Sequence, residues 1–220
     1  MNKSSITAVI PVRKGSQRVK NKNLRFFNKK NLLIYKIEKL KRIKHINKII
    51  VNTDSEEAIS IAKDLNVEFW KRDKYFASSE CSNSEFWSYI AQITKSDYIM
   101  FTNCTSPLVK IETYNKILEK FNKIKNKNDS LNTVTEEKNF LYLDSKALNF
   151  NPKEAPNSQN LPNVVKLNFA INILSTKLMH QKKSVIGNRP YFFKLDQVEG
   201  FDIDTPLDFE FAEYLHKKLF

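Results

Sequence analysis

At 220 residues, with 41% hydrophobic and 28% charged positions, the chain is suited to one soluble domain with a substantial core. Its 37 Lys+Arg against 24 Asp+Glu give a formal net charge of +13, which points to an anionic partner, nucleic acid or a polyphosphate small molecule, or to compositional drift toward Lys, Asn and Ile. No segment reaches the roughly 20 apolar residues of a membrane span, and two cysteines with three scattered histidines give neither a disulfide framework nor a zinc site.

The opening MNKSSITAVIPVRK has no secretory apolar region, so the expected location is the cytoplasm. Ile6 to Ile10 is an apolar run that reads as a buried strand broken by Pro11. The loop after it carries Arg13, Lys14, Gly15, Ser16, Gln17, Arg18, Lys20, Asn21, Lys22 and Asn23. Gly15 is one of only three glycines, and a glycine lets backbone amides converge on an anion. A strand end followed by a basic, amide-rich loop is what binding a nucleotide's phosphates requires. The spacing is neither a Walker A loop nor a GxGxxG fingerprint. A solvated basic face is the plainer reading of the same residues.

Leu32 to Ile43 places Leu33, Ile37 and Leu40 on one helical face with lysines opposite. Ile46 to Val51 suits a buried strand, Asp54 with Glu57 a capping box, and Ala58, Ile61, Ala62 and Leu65 the inner face of a second helix. Val67 to Trp70 reads as a strand, so the order β-α-β-α-β predicts a parallel sheet with crossover helices. After a loop from Lys71 to Cys81 that includes Arg72, Ser82 and Glu85 form a capping box for a helix buried through Phe86, Tyr89, Ile90 and Ile93. The strand Asp97 to Phe101 runs into Asn103, Cys104, Thr105, Ser106 and Pro107, small polar residues where open α/β sheets contact ligands.

Lys110 to Phe121 reads as a helix and Leu131 to Val134 as a strand. From Glu136 to Asn163 prolines and asparagines loosen the pattern, which suits an excursion from the main sheet. Val164 to Leu174 reads as a long strand with Leu167, Phe169, Ile171 and Ile173 facing one way. A short helix at Thr176 to His180 and a strand at Tyr191 to Leu195 lead to Gly200-Phe201-Asp202-Ile203-Asp204-Thr205-Pro206-Leu207-Asp208. In an extended segment the carboxylates of Asp202 and Asp204 point to one side, a standard way to hold Mg²⁺. Thr205 and Asp208 supply the cap of the following helix and leave the earlier aspartates free for a metal. A cationic loop with metal carboxylates is the equipment of nucleotidyl transfer.

Five segments together resemble one family, the CTP-dependent sugar-acid cytidylyltransferases and above all the CMP-N-acylneuraminate synthetases. IPVRKGSQRVKNKNL is similar to I-P-A-R-x-G-S-K-x-x-x-x-K-N, Ile50 to Asp54 to V-V-S-T-D, Phe101 to Leu108 to L-Q-P-T-S-P-L, and Phe201 to Phe209 to I-D-I-D-x-x-x-D-F. Ser158 to Pro162 with Asn168 to Ile173 resembles R-Q-D-L-P followed by N-G-A-I-Y-I.

The resemblance implies a Rossmann-like, three-layer α/β/α domain over residues 1–220, of the nucleotide-diphospho-sugar transferase type, with a mostly parallel sheet and a dimerisation arm at 136–163. It implies that Arg13, Gly15, Ser16, Lys22, Asn23, Arg72 and Asn83 bind CTP, with Arg13 and Lys22 also catalytic, and that Asp202 and Asp204 hold Mg²⁺. Asn103, Thr105, Ser106, Lys166 and Asn168 would face a small anionic acceptor, and the enzyme would be a homodimer, with neither nucleic acid nor membrane as partner.

The acceptor side departs from the family pattern. The arginine before the glutamine is Ser158, the glycine after the asparagine is Phe169, and the arginine often found after Pro-Leu is missing. Phe169 would crowd a bulky sugar, and Lys166 could supply a substitute cation. The expected acceptor is a sialic-acid-like nonulosonic sugar. The alternatives are a smaller phosphonate or phosphorylated acceptor, another nucleoside triphosphate as donor, or a basic nucleic-acid-binding module.

Overall fold

The first apolar run forms an interior strand of the sheet. In the computed structural model, which describes residues 4–16 and 18–220, the strands are β1 (Ile6–Val12), β2 (Lys48–Thr53), β3 (Glu68–Lys71), β4 (Tyr98–Phe101), β5 (Ser130–Glu137), β6 (Val164–Ser175) and β7 (Pro190–Leu195). Gln17 of the basic loop lies outside the described residues. The strands form one sheet in the order β7-β5-β6-β4-β1-β2-β3. Only β6 runs against the others: it pairs antiparallel with β4 and β5, and the remaining pairs are parallel.

Helices α1 (Leu32–Lys41), α2 (Glu56–Asp64), α3 (Asn83–Ile93), α4 (Ile111–Ile124), α5 (Thr176–Lys182) and α6 (Pro206–Leu219) cover both faces. Alternation along β1 shows why. Ala8 and Ile10 enter a core with Leu33, Ile37, Tyr114, Ile117 and Phe209, whereas Val9 enters a second core with Ile90, Ile99, Leu174 and Met179. A strand buried on both faces reads as a near-continuous apolar run, and β1 does so apart from the buried Thr7. The result is the expected three-layer α/β/α arrangement.

Pro11 does not end β1; it stands inside it, opposite Asn52 of β2. Alternate residues of a strand address alternate neighbours, and Thr102 donates to the Val9 carbonyl, so the imino nitrogen of Pro11 also faces the β4 side. There β4 has already ended at Phe101, opposite Val9, and the missing N–H forfeits no ladder bond.

Ser55 caps α2 in place of Asp54, accepting from Ala58 N, while the carboxylate of Asp54 accepts from Lys14 N at 2.7 Å and holds the basic loop. The expected loop after β3 contains a one-turn helix, Lys74–Ala77. The lysines of α1 are not all opposite the core: Lys36 is only 2% exposed. Along β6 the register against β5 shifts between Leu167 and Asn172, and Phe169 packs with the Val9 core whereas Ile171 and Ile173 pack in the other. The 136–163 region leaves the sheet as a small hairpin, Tyr142–Leu143 with Lys146–Ala147, followed by two 3₁₀ turns.

Candidate active site

Strand order reverses at β1, whose neighbours β2 and β4 are reached by crossovers in opposite directions, and a crevice opens at the carboxyl ends of such strands. A cavity of about 440 Å³ lies there. The basic loop gives it Arg13, Ser16, Arg18, Lys22 and Asn23; the end of β4 gives Asn103, Cys104 and Thr105; the segment before α6 gives Asp202 and Asp204. The α3 side contributes Asn83, Phe86 and Trp87, with Arg72, Phe76 and Ser78 beside them, and Phe169 comes from β6.

The two ends of the chain are tied together across this cavity. Arg18 NH2 lies 2.7 Å from Asp204 Oδ1 and Lys22 Nζ lies 3.6 Å from the same oxygen. Lys22 also donates to the Ile203 carbonyl. Ile203 N donates to the Thr105 carbonyl at 2.9 Å, which hangs the aspartate segment from the end of β4. The cap of α6 is made by Thr205 and Asp208: Asp208 N donates to Thr205 Oγ1 at 3.2 Å, and the Asp208 carboxylate accepts from Thr205 N and Asp204 N at 2.7 and 3.0 Å. That leaves both earlier carboxylates aimed into the site.

Asp202 has its carboxyl pushed above the usual range, chiefly by burial and further by the charge of Asp204, against hydrogen bonds from Thr105 and Ser106 and the charge of Lys22. Ser106 Oγ sits 3.4 Å from Asp202 Oδ1. A buried carboxylate beside a second one is relieved by a cation. Among the described residues no group of three or more His, Cys, Asp or Glu could hold a metal ion, so a divalent ion here would take its remaining oxygens from water or substrate, which suits Mg²⁺.

Arg72 is buried, its Nε 2.7 Å from Asn52 Oδ1, its NH2 2.8 Å from the Asn52 carbonyl, and its guanidinium 4.3 Å over the Phe86 ring. Burial lowers its pKa to about 10, opposed by Asp54 and Tyr89 and reinforced by Arg13, so it stays protonated at neutral pH. Its fixed guanidinium still offers donors to the cavity. Asn23 Oδ1 is buried without a partner beside it. The Cys104 thiol is pushed up to about 12 by burial and is no nucleophile.

The structure thus gathers Arg13, Ser16, Lys22, Asn23, Arg72, Asn83, Asn103, Thr105, Asp202 and Asp204 on one wall system. It does not bring four other expected residues to that wall. Gly15 has φ +77, the conformation that favours glycine, and shapes the turn. Ser106 is buried behind the wall, and its hydroxyl reaches Asp202. Lys166 is exposed on β6 opposite Thr135, in the half of the strand before its irregularity, and so stands away from the cavity. Asn168 is turned inward because Thr133 Oγ1 and Ala170 N donate to its Oδ1 at 2.7 and 3.2 Å, beside Gly200, where any Cβ would crowd it.

Arg18 and the aromatic residues Phe76, Phe86, Trp87 and Phe101 are absent from the expected site, whereas Phe169, expected on the acceptor side, does line the cavity. Arg18 could have been chosen by its place in the same basic loop. The aromatic residues carry no such signal, because helical spacing reads Phe86 as core.

A family model described as cytidylyltransferase matches residues 7–220. The chain is 28% identical to post-translational flagellin modification protein B of Campylobacter coli, covering 98% of this chain and 96% of that one. It is 27% identical to CMP-N,N'-diacetyllegionaminic acid synthase of Campylobacter jejuni, covering 96% and 95%. Among solved structures, CMP:2-keto-3-deoxy-manno-octonic acid synthetase complexed with CTP superposes with a TM-score of 0.73 over 99% of this chain and 100% of that one, at 15% identity, a likeness of fold.

Proposed function

The chain belongs to the cytidylyltransferase family, and on that premise we propose that it transfers CMP from CTP to a nonulosonic sugar acid with release of pyrophosphate. The observation that carries this reading is the joining of the basic loop to the Asp202–Asp204 segment at one cavity, through Arg18, Lys22 and Thr105. The acceptor class rests on relatives whose names state such sugars, diacetyllegionaminic acid among them.

In this reading Arg13, Ser16, Arg18 and Lys22 bind the triphosphate, and Arg72 and Asn83 bound the nucleoside side. An acceptor hydroxyl oxygen forms a bond to the α-phosphorus while the bond to the bridging oxygen of the β-phosphate breaks, and the hydroxyl proton is released. Arg13 and Lys22 counter charge on the transferring and leaving phosphates. Asp202 and Asp204 would hold Mg²⁺, which supplies Lewis-acid stabilisation of phosphoryl oxygens when bound. No covalent protein nucleophile is needed.

The hairpin excursion supports a homodimer, since Phe140, Tyr142, Leu143 and Leu148 are all exposed there. Sedimentation of wild type and Leu143→Asp checks it: a wild-type monomer ends that part of the reading.

The experiment for the activity is a pyrophosphate-release screen with CTP and Mg²⁺ across nonulosonic sugar acids, with phosphonates and the other nucleoside triphosphates as comparison arms. Release with CTP and a nonulosonic acid is expected. Release only with a phosphonate, or only with another nucleotide, would overturn the acceptor or the donor assignment respectively.

A further inference from the structure

Phe169 has φ +53, in the left-handed region where a residue bearing a Cβ is strained. The strain is local and anchored. On one side Asn168 is fixed by Thr133 and Ala170, and on the other Thr133 Oγ1 receives Ile171 N at 3.0 Å. Between these anchors β6 loses its register with β5. The distortion takes the ring of Phe169 out of strand alternation and lays it on the cavity wall, stacked on Trp87 with centroids 6.4 Å apart and planes 22° apart. Strained residues that persist at a cavity wall point to a role for the side chain they present.

The order of strands says which part of the site this is. Arg13 follows β1 and Arg72 follows β3, so these two groups for the nucleotide lie on the β1-β2-β3 side, while Asn83 opens α3. Phe169 arises from β6, beyond β4, on the other flank. The Asp202–Asp204 segment hangs from Thr105 at the end of β4, between the two. A phosphorus held near those carboxylates has the nucleoside on one side and the incoming acceptor on the other. Two stacked ring faces offer no hydrogen bond through their planes and favour apolar carbon.

We propose that Phe169 and Trp87 form the specificity-determining wall of the acceptor subsite, accepting a sugar acid that presents an apolar group, a deoxy methyl or the methyl of an acyl substituent, and disfavouring one with a hydroxyl at that place. This inference rests on the cytidylyl-transfer reading.

The test compares matched nonulosonic acids, a deoxy sugar against its hydroxylated counterpart, by kcat/KM for pyrophosphate release. Wild type prefers the deoxy acceptor by about tenfold or more, the scale of one methyl-sized difference in an apolar pocket. Phe169→Gly reduces that preference several-fold while the KM for CTP stays within about twofold. Glycine is at ease at this φ, which offsets part of the packing lost with the ring, and a cooperative melting curve for the variant shows that the comparison is made on folded protein. Trp87→Leu shifts the preference in the same direction. An unchanged preference in both variants, or a CTP KM that rises in place of the acceptor effect, overturns the inference while cytidylyl transfer stands. No pyrophosphate release by wild type with any acceptor removes both readings together.

Discussion

Arg18 closes on Asp204 at 2.7 Å across the mouth of the cavity, with more than half of the arginine side chain still in solvent. An exposed pair of this kind contributes about 0–1 kcal/mol to stability. Its interest is that a guanidinium occupies a carboxylate assigned to a cation, and would move to phosphate when nucleotide arrives. Arg18→Ala is therefore expected to leave the thermal midpoint almost unchanged, to weaken CTP binding several-fold, and to strengthen Mg²⁺ binding to the nucleotide-free protein. Calorimetric titration with each ligand checks it, and parallel losses for both ligands would contradict it.

Asp202→Asn separates function from stability. The carboxyl's folded pKa is raised, so ionised Asp202 costs stability above that pKa; the cost disappears once pH falls below the unfolded value, about 3.9. The asparagine variant is expected to melt higher than wild type at neutral pH, with the gap closing on acidification. It should lose about a hundredfold or more in kcat, and Mg²⁺ should no longer raise its midpoint in the presence of CTP. A variant that melts lower at neutral pH would sink the burial argument.

Behind the cavity, Lys36 Nζ donates to Tyr114 Oη at 2.7 Å, to Thr102 Oγ1 at 3.3 Å and to the Ser106 carbonyl at 3.4 Å, all neutral groups. It fastens the turn that carries Asn103 to Ser106 and, through Ser106, supports Asp202. Lys36→Met removes a buried charge with little change of shape, so the midpoint should not fall. The predicted loss is in kcat, about tenfold, with KM for CTP nearly constant. A fall in midpoint with intact kcat would make Lys36 merely structural.

Lys39 holds the other end of the same turn, 2.7 Å from the Pro107 carbonyl and 2.6 Å from that of Val109. Burial lowers its pKa to about 7, helped by Lys36 and opposed by Glu199 and Glu112. Because the unfolded value is about 10.4, the folded state binds fewer protons across this window, and stability attributable to Lys39 rises with pH from about 7 to about 10.4. The difference in midpoint between wild type and Lys39→Met should shift in favour of wild type over that range; a pH-independent difference would refute the assignment.

Much of this was legible in the sequence. Alternating apolar segments announce the β-α-β order, and Arg13, Lys22, Asp202 and Asp204 sit in motifs whose chemistry is local. What escaped depends on contacts made at a distance. Lys36 reads as a solvated face until Tyr114 and Thr102 arrive over it. Asn168 faces inward because Thr133 captures its oxygen. The +53° φ of Phe169, which costs about 1–2 kcal/mol, is imposed by the register shift between β5 and β6 and cannot be read from a hydrophobic alternation.

The dependence of the Asp202–Asp204 segment on the Thr105 carbonyl and on Lys22 has a consequence for biosynthesis. A nascent chain emerging from the ribosome can pair β1 to β4 with the basic loop in place, yet it lacks the carboxylates proposed for the metal until residues 202–204 dock. Domains generally fold as units, so the proposed site for nucleotide with Mg²⁺ is complete only once residues 202–204 have emerged and docked. Ligand-dependent protection from proteolysis would then serve as a readout of the docking of that segment.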